Sequence, residues 1–449
     1  MNKTRMLVVI AVVAVVGTLA WTLINRPKPS VRSESDAERD QSMRAAFTTT
    51  VGRGDAKDVT GDAELVAEIT EFFKALGTAF DEGDRSKLKN LVSGEMMIDY
   101  AQRSGVLDLS SLGPMRQVSF RRQFTNGLLQ GLATHGKNNA FTRPRVVRVE
   151  QISKREVLAY MRSQSVWLGV ETKSRWWLLK NLAGEWQAYD WEDLDSGIRT
   201  STLMGAMAGP NTSAPWNQDA LNLLQAVQQL QASEEFDPTQ LREPCEKLLA
   251  HKVPAVIESL ARGLLAAALL TGEDADGALE EIDKIVELNG GATPSDHYVR
   301  AECYLFKGEP QKAIEQFILY TEVLGWDSDV HERLSDCYYE LGDMPKSIEH
   351  AEKGLADNPQ SPGCLASLAV SLPAERHDEI LKHLEKFEER QLAYESILDY
   401  AIEVEHRAAY DLILPRFTAD FPDEKDLIEY YEENPPRADE DEDIEPAEA

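Results

Sequence analysis

The sequence predicts a multidomain chain: a single N-terminal transmembrane helix, an α+β domain, and then an all-α repeat solenoid. Three observations predict it. Residues 6–24 carry no charge, the stretch from Leu65 to Trp191 passes from helical to alternating periodicity, and residues from Cys303 to Ile348 recur at a spacing of 34. The length of 449 residues allows roughly three folding units at ~150 residues each.

The uncharged run reaches ~28 Å at ~1.5 Å per residue, close to the ~30 Å hydrocarbon core of a bilayer. Lys3 and Arg5 precede it, and Arg26, Lys28 and Arg32 close it. Two readings compete: an uncleaved signal anchor over residues 1–26, or a signal peptide cut after Thr18-Leu19-Ala20. Trp21, Leu23 and Ile24 continue the apolar run past that site and favour the anchor. The short basic tail places the N-terminus inside and the bulk outside the cytoplasm, although five basic residues follow by Arg44. The expected location is a single-pass protein of the cell membrane, with its soluble part in a bacterial-type envelope. Residues 27–63 hold Pro, Ser, Arg, Asp, Thr and Gly without sustained period and read as a disordered tether.

Charge is unevenly placed. The net charge is −30, yet residues 1–200 carry a net of +4 and residues 201–449 a net of −34. So acidic a C-terminal part repels phosphate backbones and excludes nucleic acid as its partner. The tail, residues 435–449, contains Asp439-Glu440-Asp441-Glu442-Asp443 and reads as disordered and acidic. Four cysteines (Cys245, Cys303, Cys337, Cys364) form no CxxC pair and no zinc spacing, which points to buried free thiols. No cofactor or metal is called for.

From residue 64 the pattern is helical. Leu65, Ile69, Phe72, Phe73, Leu76 and Phe80 recur over four turns until Glu82-Gly83-Asp84 stops the helix. Further helical stretches run through Leu88 and Leu91, through Met96, Met97 and Tyr100, and over residues 110–134. After Pro144 the period is two: Val146–Gln151, Val157–Met161, Trp176–Lys180 and Trp186–Trp191 read as strands, with Gly184 in the last hairpin loop. Helices followed by antiparallel strands describe an α+β unit whose sheet wraps the long helix.

The words Phe80-Asp-Glu-Gly-Asp84 and Trp176-Trp-Leu-Leu-Lys180 … Gly184-Glu-Trp-Gln-Ala-Tyr-Asp190-Trp191 resemble the nuclear-transport-factor-two-like cone, over residues 64–204. The resemblance implies a cystatin-like α+β cone, in a superfamily that mixes isomerases and dehydratases with inactive members. Asp99, beside Tyr100, is the candidate for a cone pocket, because a carboxylate facing an apolar cavity gains a raised pKa. His135 stands in a loop, Asp190 is placed at a strand end, and Trp167, Trp176, Trp177, Trp186 and Trp191 read as core and sheet cover. Neither a Gly-rich phosphate loop nor a nucleophile elbow occurs.

Residues 205–215 form a linker by composition, and residues 216–434 are helical throughout. Cys303 and Cys337, Tyr304 and Tyr338, Gly308 and Gly342, Lys312 and Lys346, and Ile314 and Ile348 each stand 34 residues apart. Together with Ala301-x2-Tyr304, Ala313-x3-Phe317 and the closing Pro359, this resembles the tetratricopeptide repeat, except that His297 and His331 replace the usual Trp. A degenerate copy precedes the two, and a copy broken by Pro373 follows them.

The tetratricopeptide resemblance implies a concave face lined by first helices. Its inward positions here are Tyr298, Glu302, Leu305 and Phe306, then Glu332, Asp336, Tyr339 and Glu340. Members that grip a peptide's terminal carboxylate use Lys and Asn there, so that role is not carried over. Carboxylates among aromatics suit a protein or peptide with basic segments. The resulting expectation is a non-catalytic, membrane-anchored scaffold that binds protein partners through its repeats. The alternative is a small-molecule binder or isomerase-like enzyme that uses the cone pocket, with the repeats as recruitment module.

Overall fold

Four long strands with alternating side chains build the sheet. The computed structural model describes residues 57–103, 107–110, 112–135, 141–165, 171–194, 198–208, 215–232 and 237–437. The strands are β2 (Phe141–Ser153), β3 (Glu156–Ser165), β4 (Glu171–Lys180) and β5 (Trp186–Asp193), joined at the edges by two short ones, β1 (Lys57–Asp58) and β6 (Ile198–Arg199). All pairs are antiparallel, in the order β1-β2-β3-β4-β5-β6. The β4–β5 hairpin turns where Asn181 Oδ1 accepts the backbone N–H groups of Ala183 and Glu185, and Gly184 takes a φ of 86° that a Cβ would disfavour.

Register separates the two faces of the sheet. Val157 pairs with Leu178 and Ala159 with Trp176, so these apolar residues share one face; Tyr160 pairs with Arg175 and Arg162 with Lys173 on the other. Helix α1 (Ala63–Glu82) covers the apolar face, with the Phe73 ring 5.6 Å from that of Trp176. It starts where the Asp62 side chain accepts the Leu65 N–H, and it stops at Gly83, φ 62°. There a Cβ would stand 2.7 Å from the Ala133 carbonyl oxygen, so only glycine fits. Helices α2 (Arg85–Leu91) and α4 (Pro114–His135) complete this layer, and α3 (Gly94–Arg103) sends Met97 and Ile98 into its core and Met96 and Tyr100 to the other face.

After β6 the chain is helical: α5 (Thr200–Ala208), α6 (Asn217–Ala232), α7 (Arg242–Leu249), α8 (Ala255–Thr271), α9 (Ala275–Asn289) and α10 (Pro294–Phe306). One apolar core runs from Ile69 and Phe73 through Trp176, Leu203 and Leu264 to Cys303, so the sheet and these helices form a single unit ending at Phe306. The second unit, residues 307–449, holds α11 (Pro310–Leu324), α12 (Ser328–Glu340), α13 (Met344–Asp357), α14 (Pro362–Ser371), α15 (His377–Leu384), α16 (Arg390–Glu403), α17 (Arg407–Asp420) and α18 (Lys425–Glu433). Its own core gathers Leu365, Ile397, Ile413 and Phe417.

The 34-residue period is a period of helix starts. Pro294, Ser328 and Pro362 begin α10, α12 and α14, while Pro310 and Met344 begin α11 and α13. The third copy is shortened, since α14 ends at Ser371, before Pro373. All four cysteines are buried and stand outside any disulfide.

The expected fold class and location need correction. Among the described residues no helix is long and apolar enough to cross a membrane. Residues 6–24, on which the single-pass transmembrane and extracytoplasmic expectations rested, lie outside the described residues, as do residues 27–56 of the tether, 209–214 of the linker and 438–449 of the tail. The structure holds a mostly helical chain with an antiparallel sheet, and a single-pass membrane protein is not supported. A nineteen-residue apolar run satisfies a length criterion but, taken alone, does not establish a span.

Candidate functional site

Helix α12 carries the second set of groove candidates, and it divides them. Asp336 is buried: Ser367 Oγ donates to its Oδ1 at 2.8 Å, and Arg333 Nη1 stands 3.4 Å from its Oδ2. The Tyr400 phenol also bonds to it and is raised well above its usual range, by burial first and then by the Asp336 charge. Ser367 ends a chain of buried hydroxyls, in which Ser371 Oγ donates to the Ser367 carbonyl, Ser347 meets Ser371 at 2.6 Å, and Ser335 meets Ser347 at 2.9 Å. Small hydroxyl side chains are what allow α12, α13 and α14 to pack closely here while every buried polar atom of that chain keeps a partner.

One turn on, Glu340 is at the surface. Its carboxyl is pushed up by partial burial and by the charges of Asp336 and Glu403. Asp399 is pushed up as well, by burial and by Glu403, although the Tyr431 hydroxyl bonds it at 3.0 Å. Glu403, exposed like both, therefore stands beside Glu340 and beside Asp399, and Glu340 stands beside the buried Asp336 as well. Sequence periodicity named Asp336 and Glu340 but missed Asp399 and Glu403, because α16 belongs to no 34-residue copy.

Glu332 has a different role in the structure. Its carboxylate lies against Gly363 in the first turn of α14, where an added Cβ would stand 2.0 Å from Oε2. A carboxylate there meets the positive end of the helix dipole. Tyr339 is half-buried and packs on the apolar core of the second unit. The α10 candidates belong to the first unit: Tyr298 and Glu302 are buried, Leu305 is half-buried, and Phe306 is 52% exposed.

Where the tetratricopeptide pattern has Trp, His331 stands against His350, Nδ1 to Nδ1 at 3.0 Å. Trp326 stacks on His331 and Tyr338 on His350, at 5.1 and 5.4 Å between ring centres. Burial holds both imidazoles below their ordinary pKa, that of His350 at about 4 with His331 as second cause.

The cone-pocket candidates part company. Asp99 is at the surface, where Arg121 Nη1 bonds it at 2.6 Å. Tyr100 points to the charged face of the sheet, where its hydroxyl accepts Nη1 of Arg199 at 2.7 Å and its ring lies 3.9 Å from Arg199 Cζ. Asp190, expected at a strand end, is instead wholly buried within β5 and receives Arg199 Nε at 2.5 Å and the Ser201 backbone N–H at 3.0 Å. Arg175 pairs with Glu192, and burial raises that carboxyl. The signal for this face was in the sequence as Lys173-x-Arg175-x-Trp177, an alternation of polar residues opposite an apolar one.

Comparison with known proteins adds little. No family model and no curated protein matches the chain. Among solved structures, the tetratricopeptide domain of P58(IPK) is similar to it, at 18% identity over 52% of this chain and 78% of that one, with a TM-score of 0.22. A score that low leaves the repeat assignment resting on the spacing of helix starts.

Proposed function

We propose that the chain is a non-catalytic protein-interaction scaffold of the tetratricopeptide kind, and that its second unit takes a basic segment of a protein partner. The observation that carries this is the placement of Glu403 beside both Glu340 and Asp399, where partial burial and the Glu403 charge raise those two carboxyls. Exposed carboxyls whose charged form a neighbouring carboxylate disfavours gain from any cation placed beside them. The exposed Leu341 and Leu392 supply apolar surface on the same helical region for an aliphatic stem. In this reading the α+β part over residues 64–204 and the helical array over 216–434 differ in role, although the first helices of the array share the core of the sheet.

The test uses the full chain with two peptides of equal length, one rich in Lys and Arg, the other in Asp and Glu. The basic peptide should bind, more weakly as salt rises, and the acidic one should not. Glu340→Gln with Glu403→Gln should lower that affinity more than removal of residues 439–443, although the tail carries more charge. The reverse order would move the site to the tail.

A further inference from the structure

On the charged face of the sheet, two buried hydrogen-bond donors have no acceptor among the described residues: Nη2 of Arg199 and Nε1 of Trp177. They belong to touching groups. Arg199 Cζ is 3.6 Å from the centre of the Trp177 ring, and the guanidinium lies between that ring and Tyr100. Buried donors are almost always paired, so two orphans on stacked neighbours mark a place for an acceptor. Hydrogen-bonded oxygens sit about 2.9 Å from each donor, so one oxygen, or the two oxygens of one group, can serve both.

The acceptors nearby are engaged. Asp190 takes Arg199 Nε and both the N–H and the hydroxyl of Ser201; Glu192 takes Nε and Nη2 of Arg175; Glu156 takes the Tyr189 hydroxyl. Thr200 Oγ1, next in the chain, is also buried without a partner.

We propose that this face of the sheet binds a small oxyanion, a carboxylate or a phosphate group, held by Nη2 of Arg199 and the indole N–H of Trp177. The guanidinium contributes charge and one edge donor, and the indole contributes a neutral donor whose direction is fixed by stacking. The site lies on the face turned away from α1, opposite the interior to which the cone resemblance pointed, and it is independent of the carboxylates on α12 and α16.

The test is an indole NMR titration of the full chain labelled with ¹⁵N-tryptophan. Trp177→Phe assigns the resonance and removes the donor while leaving a ring for Arg199. Sodium acetate and inorganic phosphate are added at matched ionic strength, with chloride as control, and each point is left to equilibrate because a buried site exchanges through local opening. The Trp177 N–H should shift saturably with acetate or phosphate and not with chloride. In Trp177→Phe, the anion concentration for half the thermal stabilisation should rise about tenfold, the loss of one charge-assisted hydrogen bond. If Trp177→Phe does not fold, Arg199→Lys takes its place, and an indole N–H that shifts saturably in the wild type should lose that response in Arg199→Lys. A resonance that neither anion moves saturably, or a variant that responds as the wild type does, would overturn the proposal and leave the donors to water.

Discussion

In the sheet of the first unit, Asp190 is wholly buried, bonded by Arg199 and Ser201, and the unfilled groups beside it are donors. On α12 and α16 of the second unit, Asp336 is buried on Ser367 and Tyr400, and the groups beside it are exposed carboxylates. Each region fixes one acid in the interior with hydroxyls, yet the surplus has opposite sign. The difference teaches that a buried charge is read together with what its neighbours still lack, and the two proposals follow from it: an anion for the sheet and a cation for the helices.

The largest effect that can break this comparison is on the buried pair. Asp190→Ala leaves Arg199 charged in the interior and should cost about 3–5 kcal/mol of stability, whereas Asp336→Ala, which strands a hydroxyl, a phenol and the more distant, partly exposed Arg333, should cost about 1–3 kcal/mol. Urea unfolding of the two variants measures both. Equal losses would mean that Arg333 depends on Asp336 as Arg199 does on Asp190, and the contrast between the regions would fall.

Next in size is packing in the helical array. A Cβ on Gly354 would stand 2.3 Å from Cys364 Sγ and 3.1 Å from His331 Cβ, while Gly263 within α8 has nothing within 4 Å. Gly354→Ala should therefore destabilise by about 1–3 kcal/mol. Gly263→Ala should stabilise by about 0.5–1 kcal/mol, through helix propensity alone. Thermal melts with opposite shifts would support the close approach of α13 to α12 and α14. A neutral Gly354→Ala would show that α13 can move aside.

The imidazole pair gives a pH dependence. His331 and His350 face Asp327, Asp357 and Glu349, which raise their pKa values, and Lys353 and Lys346, which lower them, but burial dominates. Both values are lower in the folded chain than the ordinary 6.5. Above that pH neither state binds the extra proton. Below it the unfolded chain binds protons that the folded chain refuses, so stability falls as pH drops from 6.5 towards about 4. His350→Gln should flatten that slope, and unchanged acid unfolding would place the loss elsewhere.

Periodicity made much of this legible, and its blind spots are physical. The strands at Val157 and Trp176 and the helix starts at Pro294, Pro310 and Ser328 follow from alternation and from the 34-residue spacing. Which inward candidate stays free does not follow. Glu332, Asp336 and Glu340 look equivalent in the pattern, yet Gly363, Ser367 and open surface give each a different environment, and those partners lie in another copy. Asp190 read as a strand end because a buried acid is expected only with a partner, and Arg199 enters the argument only through the β5–β6 pairing. The shared core from Phe73 to Cys303 was hidden too, since composition marks the linker but says nothing of which apolar faces meet.

The smallest effect sharpens the comparison most directly. Glu340 has a folded pKa above its ordinary value, from partial burial and then from Asp336 and Glu403, so its charged form is disfavoured by folding. Its contribution to stability is complete below the unfolded pKa and is lost as pH rises through the folded one, the opposite slope to that of the histidines. Glu340→Gln removes this penalty at neutral pH. It should stabilise the chain by roughly 0.2–0.5 kcal/mol, the size of like-charge repulsion between exposed side chains, and added salt should shrink the gain. The measurement is the difference in unfolding midpoint between variant and wild type at low and high salt. A loss of stability on Glu340→Gln would mean that the carboxylate already holds a cation from within the chain. The second unit would then have no anionic surplus to offer a basic partner.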